Sequence, residues 1–196
     1  MREIVKYQED DNLITKASHR VPFGKRYKAI VFVDIDGVLT DGTVRLDRNG
    51  HKWFSYSTTD GQGFSMARER DIRIILITTK DVSNHAYRAH ELKVPYYACD
   101  LSDADKTEIV GSLIKLYELE FEETIPTFGI GNDIQDIGML SLVDYPYCTP
   151  NTSHPSVKNY VTKHKSGRVI PYNTKEGFNS FRWAIEDVIE TVERNL

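Results

Sequence analysis

Asp34 and Asp36 stand two residues apart at the end of an apolar run, Ala29 to Val33, and are followed by Gly37 and Gly42. Such a run reads as a buried strand, and the glycines let the backbone turn sharply where it ends. Two carboxylates delivered together at a strand end suit a hard cation, and a carboxylate can attack phosphorus. The stretch therefore reads as the nucleophile loop of a phosphate-transferring enzyme. A bare Asp-x-Asp is also what a solvated Asx-type turn looks like. The longer string Asp34-Ile35-Asp36-Gly37-Val38-Leu39-Thr40-Asp41-Gly42 is far harder to reach by chance.

The elements that must hold this loop alternate in type. Residues 43–57 read as a β-hairpin, with Asn49-Gly50 at the turn and Val44, Leu46, Trp53 and Tyr56 on the flanks. Trp53, Phe54 and Tyr56 are expected to be exposed there. A short helix is predicted over 60–70, and residues 72–78 form a continuous apolar run of buried parallel-strand type. A helix over 82–92 and a strand over 94–99 follow. Ile109, Val110, Leu113, Ile114 and Tyr117 recur at helical spacing within 103–119. Further expectations are a strand over 127–130, a loop entering a helix over 131–140, a strand over 146–149 and a closing helix over 177–194. Strands alternating with helices predict an α/β protein with a Rossmann-like parallel sheet flanked by helices. The hairpin is inserted after the first core strand. Between Asp36 and Thr78 only this hairpin and one helix fit, which leaves no room for a large cap domain. Residues 1–27 are polar, of mixed charge and weakly periodic, and read as an N-terminal extension to a domain over 28–196.

Composition bounds the function. A chain of 196 residues suits one domain with a sizeable core, and 40% hydrophobic with 28% charged residues is ordinary globular usage. The formal charge of −4 and scattered basic residues speak against a nucleic-acid or anionic-membrane partner. No apolar stretch reaches membrane-span length, and the first residues lack a signal-peptide core. Cys99 and Cys148 lack the spacing of a zinc site or disulfide framework, so a cytoplasmic location is expected. No phosphate-binding G-x-x-x-x-G-K-[ST] string is present, and Gly129-Ile130-Gly131 is too short a match for a dinucleotide fingerprint.

The nine-residue string from Asp34 resembles the first motif of the haloacid dehalogenase (HAD) superfamily. More narrowly, it is similar to the capless branch of 3-deoxy-D-manno-octulosonate 8-phosphate phosphatases and related sialic-type sugar-acid phosphatases. The resemblance runs from about Lys28 to Val192. It implies that Asp34 is the nucleophile, forming an aspartyl phosphate, and that Asp36 is the general acid and base. It also implies that Thr78 donates to a phosphate oxygen and that Lys106 neutralises phosphate and nucleophile. Read alone, Thr78 could cap the next helix and Lys106 could be a solvated surface charge. Mg²⁺ is the implied cofactor, held by Asp34, Asp36 and Asn132 or Asp133. Substrate contacts are implied for Thr40, Gly42, Asp60, Thr79 and Lys80. Residues 148–162 look like a family stretch that ends in a strand at Tyr160-Val161-Thr162.

Three departures stand out. Relatives read I-T-G-R where this chain has Ile77-Thr78-Thr79-Lys80, which changes loop shape and removes a bidentate anion binder. Relatives read G-D-D where it has Gly131-Asn132-Asp133; an Asn carbonyl still suits a hard cation but carries no charge. The tail over 163–178 lacks the family's Gly-rich run, and Lys163, Lys165, Arg168 and Lys175 could form an anion-binding flap or a solvated loop. The resemblance as a whole implies a Mg²⁺-dependent phosphomonoesterase for a small phosphorylated metabolite, a sugar or sugar acid. Capless relatives close their sites by assembling subunits, so a homo-oligomer, favoured as a tetramer, is expected. The competing reading is a catalytically weak or inactive HAD domain that serves as an oligomerisation or ligand-binding module.

Overall fold

The structure, a computed structural model, describes residues 25–80, 82–99, 103–152 and 154–194. The first strand, β1 (Ala29–Val33), is buried along its whole length, as its unbroken apolar sequence requires. It lies between β4 (Ile72–Thr78) and β6 (Thr127–Gly131), parallel to both. Beyond β4 comes β5 (Tyr96–Ala98); beyond β6 come β7 (Tyr145–Cys148) and β8 (Arg168–Val169). The sheet order is β5-β4-β1-β6-β7-β8, with every pairing parallel. The short β8 falls in the tail that was read as flap or loop.

Alternation along β1 divides the core. Ala29, Val31 and Val33 face one cluster with Phe64 and Ala67 of α1 (Thr58–Glu69), Ala86 and Ala89 of α2 (Ser83–Leu92), and Phe181, Ile185 and Val188 of α6 (Ser180–Arg194). Ile30 and Phe32 face the other. That second cluster holds Val110, Leu113 and Tyr117 of α3 (Asp103–Phe121), Met139 and Leu140 of α4 (Ile137–Leu142), and Val157 and Val161 of α5 (Pro155–Lys163). The architecture is a parallel sheet with helices on both faces, and no large cap accompanies it among the described residues.

Three expectations are corrected. Tyr160-Val161-Thr162 lies in α5 and not in a strand. Pro155 occupies the first turn, His154 accepts the Ser156 N–H as the cap, and Val157 and Val161 bury one helical face four residues apart. Second, α1 begins at Thr58, where Ser57 caps it by accepting the N–H groups of Thr59 and Asp60. The helix expected over 60–70 thus starts two residues earlier, and Asp60-Gly61-Gln62-Gly63 lies inside it. Third, the hairpin strands β2 (Arg45–Leu46) and β3 (Lys52–Trp53) are only two residues each. Of the three aromatics expected to be exposed there, Trp53 is exposed, whereas Phe54 and Tyr56 are half-buried. The sequence-based extension over 1–27 falls mostly on residues 1–24, outside the described residues. Tyr27, at its end, is buried with its ring edge-on to Tyr117.

Candidate active site

In a sheet of this kind, ligands bind beyond the carboxyl ends of strands where the strand order reverses. Here that place is the gap between β1 and β6, because the chain runs outward from β1 through β4 and β5 and returns to its other side at β6. Asp34 follows β1 directly and donates its backbone N–H to Ile130 of β6 at 3.0 Å. The next residues wind into a turn in which Val38, Leu39 and Thr40 all donate to the Ile35 carbonyl. Gly37 has φ +85°, and a Cβ there would sit 1.8 Å from Nδ2 of Asn132. The missing side chain is what allows the loop after β6 to seat its amide against the loop after β1.

At the centre is Lys106, which is 1% exposed. Its ammonium donates to Asp34 at 2.9 Å and to Asp136 at 2.5 Å. A buried ammonium is tolerated only when it is paired, and two carboxylates pair this one. Burial works against its charge, but Asp136 and Asp34 outweigh that and hold it protonated well above the usual lysine value. Asp34 is pushed above the usual carboxylate range by burial and then by the Asp136 charge, and Lys106 offsets only part of this. Asp136 is locked in turn: its Oδ2 accepts the backbone N–H groups of Asn132 at 2.7 Å and Asp133 at 3.0 Å. Lys106 is thus no solvated surface charge.

Asp36 is half-buried, and both its oxygens are engaged. Thr40 donates its hydroxyl at 3.2 Å to Oδ1, while its own oxygen accepts the N–H groups of Gly37 and Gly42. His85 reaches Oδ2 at 3.4 Å through Nε2. Burial would raise Asp36, but the hydrogen bond from His85 and the charge of nearby Lys80 outweigh it and hold this carboxylate below its usual range. Thr78 ends β4, buried, and its hydroxyl oxygen accepts the Lys80 N–H at 3.2 Å, which leaves its O–H to donate. It does not cap α2, whose cap is Val82 without a side-chain bond. Thr79 donates to Gln135 at 3.0 Å and so ties the loop after β4 to the loop after β6.

Two expected site residues are held differently. Asp60 is buried with its carboxylate turned to α6, where Oδ1 accepts the Arg182 N–H at 2.9 Å. Asp133 caps the 3₁₀ turn over 134–136, accepting the Ile134 N–H at 2.6 Å. Among the described residues no cluster of three or more His, Cys, Asp or Glu side chains forms a ready-made metal cage. The set does fit a hard cation of the Mg²⁺ kind, which needs only one or two protein oxygens and takes the rest from water and phosphate. The Asp34 carboxylate and the Asn132 amide, wedged against Gly37, are oxygen donors of that type. Three carboxylates (Asp34, Asp36 and Asp136) outnumber the buried Lys106, so added positive charge is favoured. Sequence reasoning gave no site role to His85, Tyr56 or Asp136. The Asp-x-x-Asp spacing from Asp133 to Asp136, in a loop opened by Gly131, was the available signal for Asp136.

No family model matches the chain. It is 30% identical over 107 residues to the 3-deoxy-D-manno-octulosonate 8-phosphate phosphatase KdsC of Haemophilus influenzae, across 55% of this chain and 57% of that one. The matched part is thus little more than half of that relative's length. A HAD family hydrolase of Streptomyces avermitilis superposes with a TM-score of 0.67 at 23% identity, covering 82% of this chain and 89% of that one. The 3-deoxy-D-manno-octulosonate 8-phosphate phosphatase of Moraxella catarrhalis, solved with a magnesium ion, a phosphate ion and a KDO molecule, superposes with a TM-score of 0.65 at 19% identity. It covers 86% of this chain and 88% of that one.

Proposed function

We propose that this chain, which has the HAD hydrolase fold and is similar to KdsC phosphatases, is a Mg²⁺-dependent phosphatase of a sugar-acid phosphate. One observation carries the reading: Lys106 sits buried between Asp34 and Asp136 at the strand switch point, with Asp36 beside them. A bare scaffold gains nothing from such a group, since a buried ion triad is no better for stability than well-packed apolar residues. The inactive-scaffold alternative is disfavoured on that ground.

In the proposed reaction an Asp34 oxygen attacks phosphorus, and the bond from phosphorus to the substrate oxygen breaks. Asp36 is a carboxylate in the free site; the negative charge of a bound phosphate raises its pKa, so that it takes up a proton and gives it to that leaving oxygen. Asp34 then carries the phosphoryl group as an aspartyl phosphate. Water attacks that phosphorus, Asp36 takes the water's proton, and Asp34 is released with inorganic phosphate. Lys106 neutralises the nucleophile and an equatorial oxygen, and Thr78 donates its hydroxyl to another. Thr40 and Gly42 hold Asp36 and its loop in place, while Thr79 and Lys80 line the approach. Mg²⁺, when bound by Asp34 and Asn132, supplies positive charge against the phosphate oxygens. Assembly into a homo-oligomer, favoured as a tetramer, and a cytoplasmic location belong to the same reading.

The test is phosphate release from sugar and sugar-acid phosphates, with and without Mg²⁺, by wild type and Asp34→Asn. Turnover by wild type with metal is expected, with a loss of at least about a thousandfold in the variant. Equal turnover by wild type and variant would end the proposal.

A further inference from the structure

His85 is fully buried in the first turn of α2, on a chain segment 49 residues from Asp36. A buried histidine is most often a core residue whose two nitrogens are simply satisfied. Here one nitrogen is satisfied by the proton-exchanging carboxylate itself. Its Nε2 faces Asp36 Oδ2 at 3.4 Å, and its Nδ1 meets the Tyr56 hydroxyl at 2.5 Å. The Phe54 ring lies against the imidazole, with centroids 4.6 Å apart. Tyr56 comes at it edge-on. The ring is therefore fixed on one edge by a bond, on its face by packing, and aimed with its remaining edge at Asp36.

We propose that His85 is a positioning residue for the acid–base step, holding the Asp36 carboxylate in the orientation that reaches the leaving oxygen. Tyr56 keeps its proton, because burial and the neighbouring Asp36 charge both raise its pKa. Its O–H then donates to Nδ1, which leaves the imidazole proton on Nε2, facing Asp36. With His85 on Oδ2 and Thr40 on Oδ1, the carboxylate is clamped from two sides and cannot rotate away without breaking a bond. Phe54 and Tyr56 both lie on the segment that leaves the hairpin, so the clamp is set by where the hairpin packs. This inference rests on the phosphatase reading above and goes beyond it by adding a residue and its hydrogen-bonded partner.

The test compares two substrates whose leaving groups differ in their need for a proton. A sugar-acid phosphate releases an alkoxide that must be protonated; p-nitrophenyl phosphate releases a phenolate that need not be. His85→Val should lower kcat on the sugar-acid phosphate by about ten- to a hundredfold with KM changed less than about threefold, and lower it far less on the aryl ester. His85→Gln, which can present an N–H at the same depth, should restore most of the loss. Tyr56→Phe should show the same preference in milder form. An equal loss on both substrates, or no loss, in variants that melt like wild type overturns the proposal and leaves the phosphatase reading intact. If Val disrupts folding, failure of Gln and of Tyr56→Phe to discriminate between the substrates overturns it equally. Wild type that turns over neither ester removes both readings together.

Discussion

At the scale of single residues, the chain places its charged groups where burial makes them expensive, and the partners reveal the purpose of each. Lys106 has two carboxylates and is held charged, whereas Asp60 has only one backbone N–H and is pushed up to about 6 by burial. Its pKa in the folded state lies above its unfolded value, so the folded protein binds this proton more tightly. Stability is therefore lost as pH rises through that window, and the penalty is complete above it. Asp60→Asn removes the titration while keeping an acceptor for the Arg182 N–H. Urea unfolding should show the variant gaining about 2 kcal/mol relative to wild type between pH ~4 and pH ~8, and a difference independent of pH would refute this. The sequence singled out Asp34, Asp36, Thr78 and Lys106 as candidates because each lies at a fixed place beside a recognisable strand or helix. It assigned no site role to His85 or Tyr56, since neither has a local pattern that points to the site. Only the fold brings residues 29 and 49 positions apart along the chain to one imidazole.

Elements were legible in proportion to how local their causes are. The strand β1 announces itself as an unbroken apolar run, β4 as an aliphatic run interrupted by Arg73, and the hairpin turn by Asn49-Gly50. The strand expected at Tyr160-Val161-Thr162 came from the family resemblance and failed, because the Pro155 start and the four-residue spacing of Val157 and Val161 favour a helix. The short β8 was missed because two half-buried residues carry no periodicity; its partner β7 defines it. Element ends also reach into the site. Gly131 closes β6, and a Cβ added there would meet Asp136 Cβ at 2.5 Å and Cγ at 2.7 Å. Asp136 cannot yield, because its Oδ2 holds two backbone N–H groups and its Oδ1 holds Lys106. Gly131→Ala should thus cost about 2 kcal/mol of stability by overpacking. It should also lower kcat more than about tenfold by shifting Lys106, although residue 131 touches no substrate. Thermal melting and steady-state kinetics on the same preparation check both parts, and full activity in a destabilised variant would break the link between strand end and lysine.

For the whole molecule, the hairpin is the element that one chain does not explain. Two strands of two residues do not form a stable unit by themselves, and this pair is anchored through Phe54 and Tyr56, not through its own tip. On the tip, Val44, Leu46 and Trp53 are 43%, 65% and 59% exposed. An apolar cluster of that kind on a projecting ribbon is characteristic of a surface that another chain covers. The formal charge of −4 on 196 residues is too small to oppose association of copies. If copies of this chain meet at the tip, the segment that carries Tyr56 is stiffened by the partner, and the Asp36 clamp is steadied with it. Sedimentation velocity at micromolar concentration should then show an oligomer for wild type. Trp53→Glu should weaken assembly more than about tenfold, because a carboxylate would be buried in an apolar contact. Specific activity should fall along with assembly as the protein is diluted, and Trp53→Glu should behave at high concentration as wild type does when dilute. A wild-type monomer at every concentration would separate the hairpin from assembly and leave its exposed tip to a different partner.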